Sequence, residues 1–281
     1  MRCINLLLLG LLFFNFPAFA SDVHSARTEA LGGAGHAAPL LNDAIIMNPS
    51  FASFLPSYSL AFDYGFYSGG ALNPDGTNFF HGHVSNLSVQ DGRSEAFQAG
   101  VAGSVFEDSQ QIHIGASKAI VKQLGVGLGS KFIFPNDGSP VVRDATFALS
   151  GVINDMFQAV VVIDNLFSPN PGLHGMYREY ILGTKINLLG ILMIYFDPHY
   201  VQELPNHFGQ ETGLELTVFK DFFVRGGGFT NSQIPFESAR GSGYSFGGGF
   251  VGPRLSIDFA YSHANDPIPA NNDVLGFTLY F

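Results

Sequence analysis

After residue 20 the chain has no uninterrupted apolar run of the ~18 residues that a helical membrane span requires. Yet only 13% of its residues are charged and its mean hydropathy is +0.21. Ordinary soluble domains carry roughly 25% charged residues, so this chain is too apolar to stay wet and too interrupted to cross lipid as helices. Inside lipid every backbone N–H and C=O must find a partner within the protein, and apart from helices only a closed β-barrel achieves that. The 34 glycines, 29 phenylalanines and 10 tyrosines fit strands that set small residues inward and aromatics outward. Trp is absent, which leaves the interfacial positions to Tyr and Phe.

From Ser57 onward the chain divides into segments of about ten residues, the length of a tilted transmembrane strand. Clusters of Gly, Pro, Asn and Asp separate them. Fourteen strands are predicted, at 57–68, 79–89, 95–106, 110–121, 124–134, 142–153, 157–166, 178–187, 190–197, 211–219, 222–230, 242–251, 254–263 and 273–281. The period is two: Leu275, Phe277, Leu279 and Phe281 share one face, and Val274, Gly276, Thr278 and Tyr280 the other. Leu255, Ile257, Phe259 and Tyr261 alternate in the same way with Ser256, Asp258, Ala260 and Ser262. Tyr58, Leu60, Phe62, Tyr64 and Phe66 form a lipid-facing stripe in the first strand. Near Asn86 the apolar phase shifts from Phe80 and Val84 to Leu87 and Val89, which predicts a β-bulge. Ile191 to Phe196 is apolar on both faces, through either a locally apolar lumen or a misplaced strand.

Connection lengths alternate, as in bacterial barrels with short periplasmic turns and long outer loops, except that the link at Glu107–Ser109 is short where a long one is expected. Tight turns are expected near Asp91-Gly92, Gln123, Asn154-Asp155, Leu188-Leu189, Lys220-Asp221 and Gly252-Pro253. Longer links fall at 69–78, 135–141, 167–177, 198–210, 231–241 and 264–272. An even strand count puts the C-terminus on the periplasmic side. Phe277, Leu279 and Phe281, closing an alternating strand, resemble the signal read by the outer-membrane assembly machinery.

Residues 1–20 read as a cleaved secretory signal peptide: Arg2, an apolar run from Ile4 to Phe16, and the exit Ala18-Phe19-Ala20. Cys3 leaves with it, so no disulfide or thiolate site is expected afterwards. A formal net charge of −10 with no basic run argues against a nucleic-acid partner.

Residues 21–56 do not alternate. They contain Gly32-Gly33-Ala34-Gly35, then Asn42-Asp43-Ala44, then Asn48-Pro49-Ser50. In these motifs and their spacing the chain resembles the FadL-like outer-membrane family, which includes long-chain fatty-acid and aromatic-hydrocarbon channels and the related PorV-type barrels. Ser50 stands where that family usually has Ala, Asn42 where it usually has an acid, and the outer loops here are shorter. The resemblance implies a plug within the barrel, 57–281, and passage of hydrophobic molecules, sideways through the wall near a kinked early strand; the Asn86 shift lies in such a strand. From the residues alone, Gly32, Gly33 and Gly35 permit tight backbone packing, and Ile45, Ile46 and Met47 need an apolar surface. A mobile leading segment is the other reading of 21–56.

Seven ionisable residues fall on the lumen side of the predicted register: Asp63, Lys131, Asp144, Lys185, Glu215, Arg225 and Asp258. They either line a polar path or pair to stiffen the lumen. His81 and His83, with His113 on a nearby strand, lack carboxylate or Cys partners at ligand spacing, so neither a metal nor a cofactor is assigned. No nucleophile motif marks a catalytic triad, and no enzyme activity is expected. The triple glycines at 226–228 and 247–249 lead into no helix and carry no Lys-Ser/Thr, so they are strand glycines rather than phosphate loops. Outer-membrane lipid is the expected solvent. Passive uptake of small hydrophobic ligands such as fatty acids is the leading function. The alternatives are a PorV-like interaction barrel with a secretion or surface-display partner, and a general porin.

Overall fold

The structure is a computed structural model that describes residues 23–40, 42–69, 81–167, 176–234 and 240–281. The expected signal peptide and nearly all of the link at 69–78 lie outside the described residues. Fourteen antiparallel strands close into one barrel in which each strand neighbours those next to it in sequence and β1 pairs with β14. They are β1 Tyr58–Gly69, β2 His81–Asp91, β3 Gln98–Val105, β4 Ser109–Val121, β5 Leu124–Pro135, β6 Val142–Val152 and β7 Phe157–Asp164. There follow β8 Glu179–Leu188, β9 Leu192–Val201, β10 Phe208–Phe219, β11 Phe222–Gln233, β12 Arg240–Val251, β13 Leu255–Asp266 and β14 Ala270–Tyr280. Closure runs from Ser59 opposite Tyr280 to Gly69 opposite Ala270, so the sheet has no open edge at which backbone groups would face lipid unpaired.

The outer face is what lipid selects. Phe62, Phe66, Leu87, Ile114, Leu128, Leu182, Leu214, Phe246, Phe259, Leu275 and Phe277 all project outward and exposed. The residues between them turn inward, among them Ser59, Ser88, Ser104, Thr146, Ser150, Ser245, Ser256 and Ser262, all buried. Nothing in a soluble protein would hold so much apolar surface outside.

Two sequence expectations change. The links predicted at 198–210, 231–241 and 264–272 are shorter, because β9 through β14 run two to four residues further at that end. Residues there alternate less cleanly in hydropathy but still pair by backbone bonds, as Ser232 with Gly241 and Ala264 with Ala270. The predicted bulge at Asn86 is absent: β1 pairs with β2 in unbroken register from Tyr58 opposite Asp91 to Ser68 opposite His81. Val84 is out of phase because it faces a lumen cluster of Val23, Tyr67 and Phe106 rather than lipid. The register shifts that do occur lie near strand ends, between Ala119 and Val121, Thr217 and Phe219, Phe229 and Ser232, and Ser242 and Gly243.

Residues 23–40 and 42–56 form a hatch within the barrel. It contains α1 (Ala26–Ala30), α2 (Asp43–Met47) and a 3-10 turn (Pro49–Phe54). Ser25 caps α1 by accepting from the Thr28 amide at 3.2 Å, and the left-handed Gly32 and Gly33 turn the chain out of it. α1 packs on β11 through β14, α2 on β3 and β4, and the 3-10 turn on β3 through β6, so the segment circles the lumen wall. This resolves the double-faced stretch before Phe196. The lumen side of β9 is apolar because Tyr195 and Met193 pack against Leu31, Ala34, Ala38 and Phe51 of the hatch.

Candidate functional site

The hatch is held by side chains at the places the motifs occupy. Asn42 bridges two strands, donating to Ser88 Oγ on β2 at 2.9 Å and accepting from Ser59 Oγ on β1 at 2.5 Å. Thr28 Oγ1 donates to Asp43 Oδ2 at 3.3 Å, tying α1 to α2. Asn48 Nδ2 donates to the His36 carbonyl at 2.6 Å and to Ser150 Oγ on β6 at 2.9 Å. Pro49 opens the 3-10 turn, and Ser50 adds a hydroxyl contact of 2.7 Å to Ser150, a bond that Ala could not make. Ile45 and Met47 are buried, Ile45 against the strand glycines Gly100 and Gly115.

At Gly32 the hatch meets the wall backbone to backbone. A Cβ on Gly227 would fall 2.1 Å from the Leu31 carbonyl carbon, so no side chain fits between hatch and β11 there. On the outer side of the same strands, Gly226 and Gly228 floor a lipid-facing groove of about 560 Å³ flanked by Ile194, Phe196, Thr212 and Leu214.

Three of the seven predicted lumen residues, Glu215, Arg225 and Asp258, form a single buried network with two residues that sequence reasoning did not single out, Arg27 and Tyr195. Arg27 Nε donates to Glu215 Oε2 at 3.1 Å, and Arg225 Nε donates to the same oxygen at 2.6 Å. Arg225 Nη1 also donates to Asp258 Oδ1. Arg27 Nη2 donates to the Tyr195 hydroxyl at 2.7 Å, and its guanidinium lies 5.3 Å from the center of that ring. Burial opposes the charge of Arg27, but Glu215 and the neighbouring acids raise its pKa well above the ordinary value. Asp63 accepts from the Ala26 amide at 3.3 Å. Lys185 reaches 5.8 Å from the Tyr195 ring. Lys131 and Asp144, opposite each other across β5 and β6, take separate partners. Lys131 donates to Asp164 and Asn165 at 3.3 Å each, and Asp144 accepts from the Ala145 and Phe167 amides at 2.7 and 2.9 Å. These residues take local partners in separate places, and the predicted residues are not gathered into one site.

A second cluster was not legible in the sequence. His36 Nδ1 lies 2.9 Å from Asp197 Oδ2 and 4.0 Å from Glu211 Oε2, while the Gly35 and His36 amides donate to Asp197 Oδ2 at 2.7 and 2.8 Å. Burial opposes protonation of His36, but the Asp197 hydrogen bond and the charges of Asp197, Glu211 and Glu179 raise its pKa. A cavity of about 60 Å³ adjoins it, lined by His24, Lys131, Glu179, His199 and Ser232 among others. By contrast His81 and His83 point outward, stacked on Phe66 and Tyr64, while His113 is buried in the lumen; the three do not converge.

No protein-family model matches the sequence, and no curated protein sequence does either. Solved structures do match in shape. The CymD monoaromatic hydrocarbon channel superposes with a TM-score of 0.69 at 12% identity, covering 94% of this chain and 99% of that one. The Ralstonia pickettii toluene transporter TbuX gives 0.64 at 11% identity, covering 93% and 99%. The Pseudomonas putida toluene transporter TodX gives 0.62 at 12% identity, covering 94% and 98%. Each match covers more than nine-tenths of both chains, and so this chain shares the fold of these channel proteins, a closed cylinder of fourteen antiparallel strands carrying an N-terminal hatch.

Proposed function

We propose that this barrel lets small hydrophobic molecules, monoaromatic hydrocarbons or fatty acids, cross the outer membrane passively. The observation that carries the reading is a hatch-filled lumen within a fold shared with proteins described as a monoaromatic hydrocarbon channel and toluene transporters. A water-soluble passenger needs a continuous wet path, and here the hatch backbone is seated directly on the wall at Gly227. An apolar passenger needs only apolar surface, which is favourable to bury at roughly 25 cal/mol per Å². The groove over Gly226 and Gly228, beside Phe196 and Leu214, supplies such surface at the level of the lipid. A transport role of this kind requires no catalytic residue and no cofactor.

Uptake of labelled toluene and labelled oleate by cells with and without the gene tests this reading. At least one should enter more slowly without the gene and recover when the gene is restored. Unchanged uptake of both would overturn it. In that event a stable protein partner recovered by crosslinking would point to a PorV-like assembly role, and a large steady conductance in planar bilayers to a general porin.

A further inference from the structure

We propose that His36, Asp197 and Glu211 form a binding site for a divalent transition-metal ion of the zinc type, which fastens the hatch to the β9–β10 wall. Asp197 and Glu211 are directly opposite each other across these two strands, and both face inward. They are 0% and 8% exposed. Like charges directly opposite each other in a sheet repel, and burial strengthens the repulsion because water no longer screens it. A positive charge placed over such a pair relieves that repulsion.

The hatch brings one group of the right kind. His36 Nδ1 stands between the two carboxylates, and one ligand atom from each of the three residues lies within 4.8 Å of the others. One imidazole nitrogen with two carboxylates is a donor set used by protein-bound zinc. A single imidazolium balances one of the two negative charges, whereas a divalent ion balances both. The nearby Arg and Lys cations are already engaged: Arg240 donates to Glu179 at 2.6 Å and to the Asn231 carbonyl at 2.8 Å, and Lys131 donates to Asp164 and Asn165 at 3.3 Å each.

A second observation points the same way. Asp197 has no exposed surface, and its Oδ1 has no hydrogen-bond partner among the described residues. A fully buried carboxylate oxygen left bare is expensive, and a metal ion would relieve it. The carboxylates are also aimed by outer contacts of the kind that orient metal ligands. The Gly35 and His36 amides fix Asp197, and Ser232 Oγ donates to Glu211 Oε1. The adjoining cavity of about 60 Å³, which Glu211 and His36 help to line, is large enough for the waters that would complete the coordination shell. On binding, the Nδ1 proton of His36 leaves to water and the freed lone pair takes the metal.

The test uses the refolded full chain in detergent, stripped with chelator and titrated calorimetrically with zinc chloride, with cobalt chloride as a spectroscopic probe. One zinc ion per chain is expected. Cobalt should give visible bands that zinc abolishes, and thermal unfolding should move upward with zinc. His36→Gln, Asp197→Asn and Glu211→Gln should each weaken binding by roughly 100-fold, while His113→Gln, a lumen histidine outside the cluster, should bind as the parent does. If one of the three variants fails to fold, the other two still decide. Absence of stoichiometric zinc binding, or binding undiminished in the folded variants, would overturn the proposal.

Discussion

Arg27 of the hatch donates to Glu215 on β10 at 3.1 Å, and both side chains are buried, so a residue near the start of the described chain is locked to one 188 positions later. Glu215 is also the acceptor for Arg225 at 2.6 Å. One buried carboxylate oxygen thus accepts from two guanidinium groups, and Asp258 supplies the second negative charge.

Removing that carboxylate should therefore hurt more than removing either cation. Glu215→Gln leaves Arg27 and Arg225 facing each other without the carboxylate they share, offset by Asp258 beside Arg225 and by the charge of Asp43 near Arg27. The expected loss is roughly 3–5 kcal/mol, as for a buried pair broken from one side. Arg27→Met leaves Glu215 still paired with Arg225 and should lose less. Urea unfolding in detergent micelles, followed by circular dichroism, checks the order.

The glycine contact at the wall gives a paired prediction. Gly227→Val puts a side chain where the Leu31 and Gly32 backbone already lies, so the hatch must lift away. Gly228→Ala points outward, where the nearest atoms would be at an ordinary 3.6 Å. Limited proteolysis should cut the hatch of the valine variant several times faster and leave the alanine variant unchanged. Equal resistance in both would contradict the backbone contact.

Acid should loosen the hatch through Glu29. Burial opposes ionisation of its carboxyl, but the hydrogen bond and charge of His24, at 2.7 Å, together with Ser262, hold its pKa below the ordinary 4.5. A depressed folded value means that the stabilisation is present above the unfolded pKa and is lost as pH falls through the folded one. The difference in stability between the parent and Glu29→Gln should thus shrink as pH falls below about 4.5. A difference that instead grew on acidification would contradict the assignment.

The lipid face should reject charge. Leu128 on β5 is 60% exposed and points outward. Leu128→Arg should cost about 2–4 kcal/mol if it lies near the bilayer midplane. Folding into liposomes, read by gel mobility of unheated samples, should fall accordingly. An inward substitution of similar size is a different experiment, since the lumen is already polar.

The barrel was legible because lipid imposes a period of two on every strand, and Leu275 through Phe281 carry it without interruption. Where the pattern broke, the hatch was the cause. Val84 and Tyr195 are apolar toward the lumen because hatch residues Val23 and Leu31 lie over them, a contact between segments far apart in sequence. Arg27, Tyr195, His36, Asp197 and Glu211 were missed for the same reason. A period-two reading marks which way Asp197 and Glu211 face, but not that a hatch histidine from a segment with no period would arrive between them. His81 and His83 were close in sequence and drew attention, yet they sit on the outer side.

The central claim is that the N-terminal segment fills a closed membrane barrel, and the hydroxyls of Ser50 and Ser150, 2.7 Å apart, measure it most directly. Residues 21–281 contain no cysteine, so Ser50→Cys with Ser150→Cys introduces the only pair. In the membrane-inserted protein the two thiols should join on mild oxidation and resist a water-soluble maleimide beforehand. Two free thiols that label rapidly and never join would show that the segment lies outside the barrel.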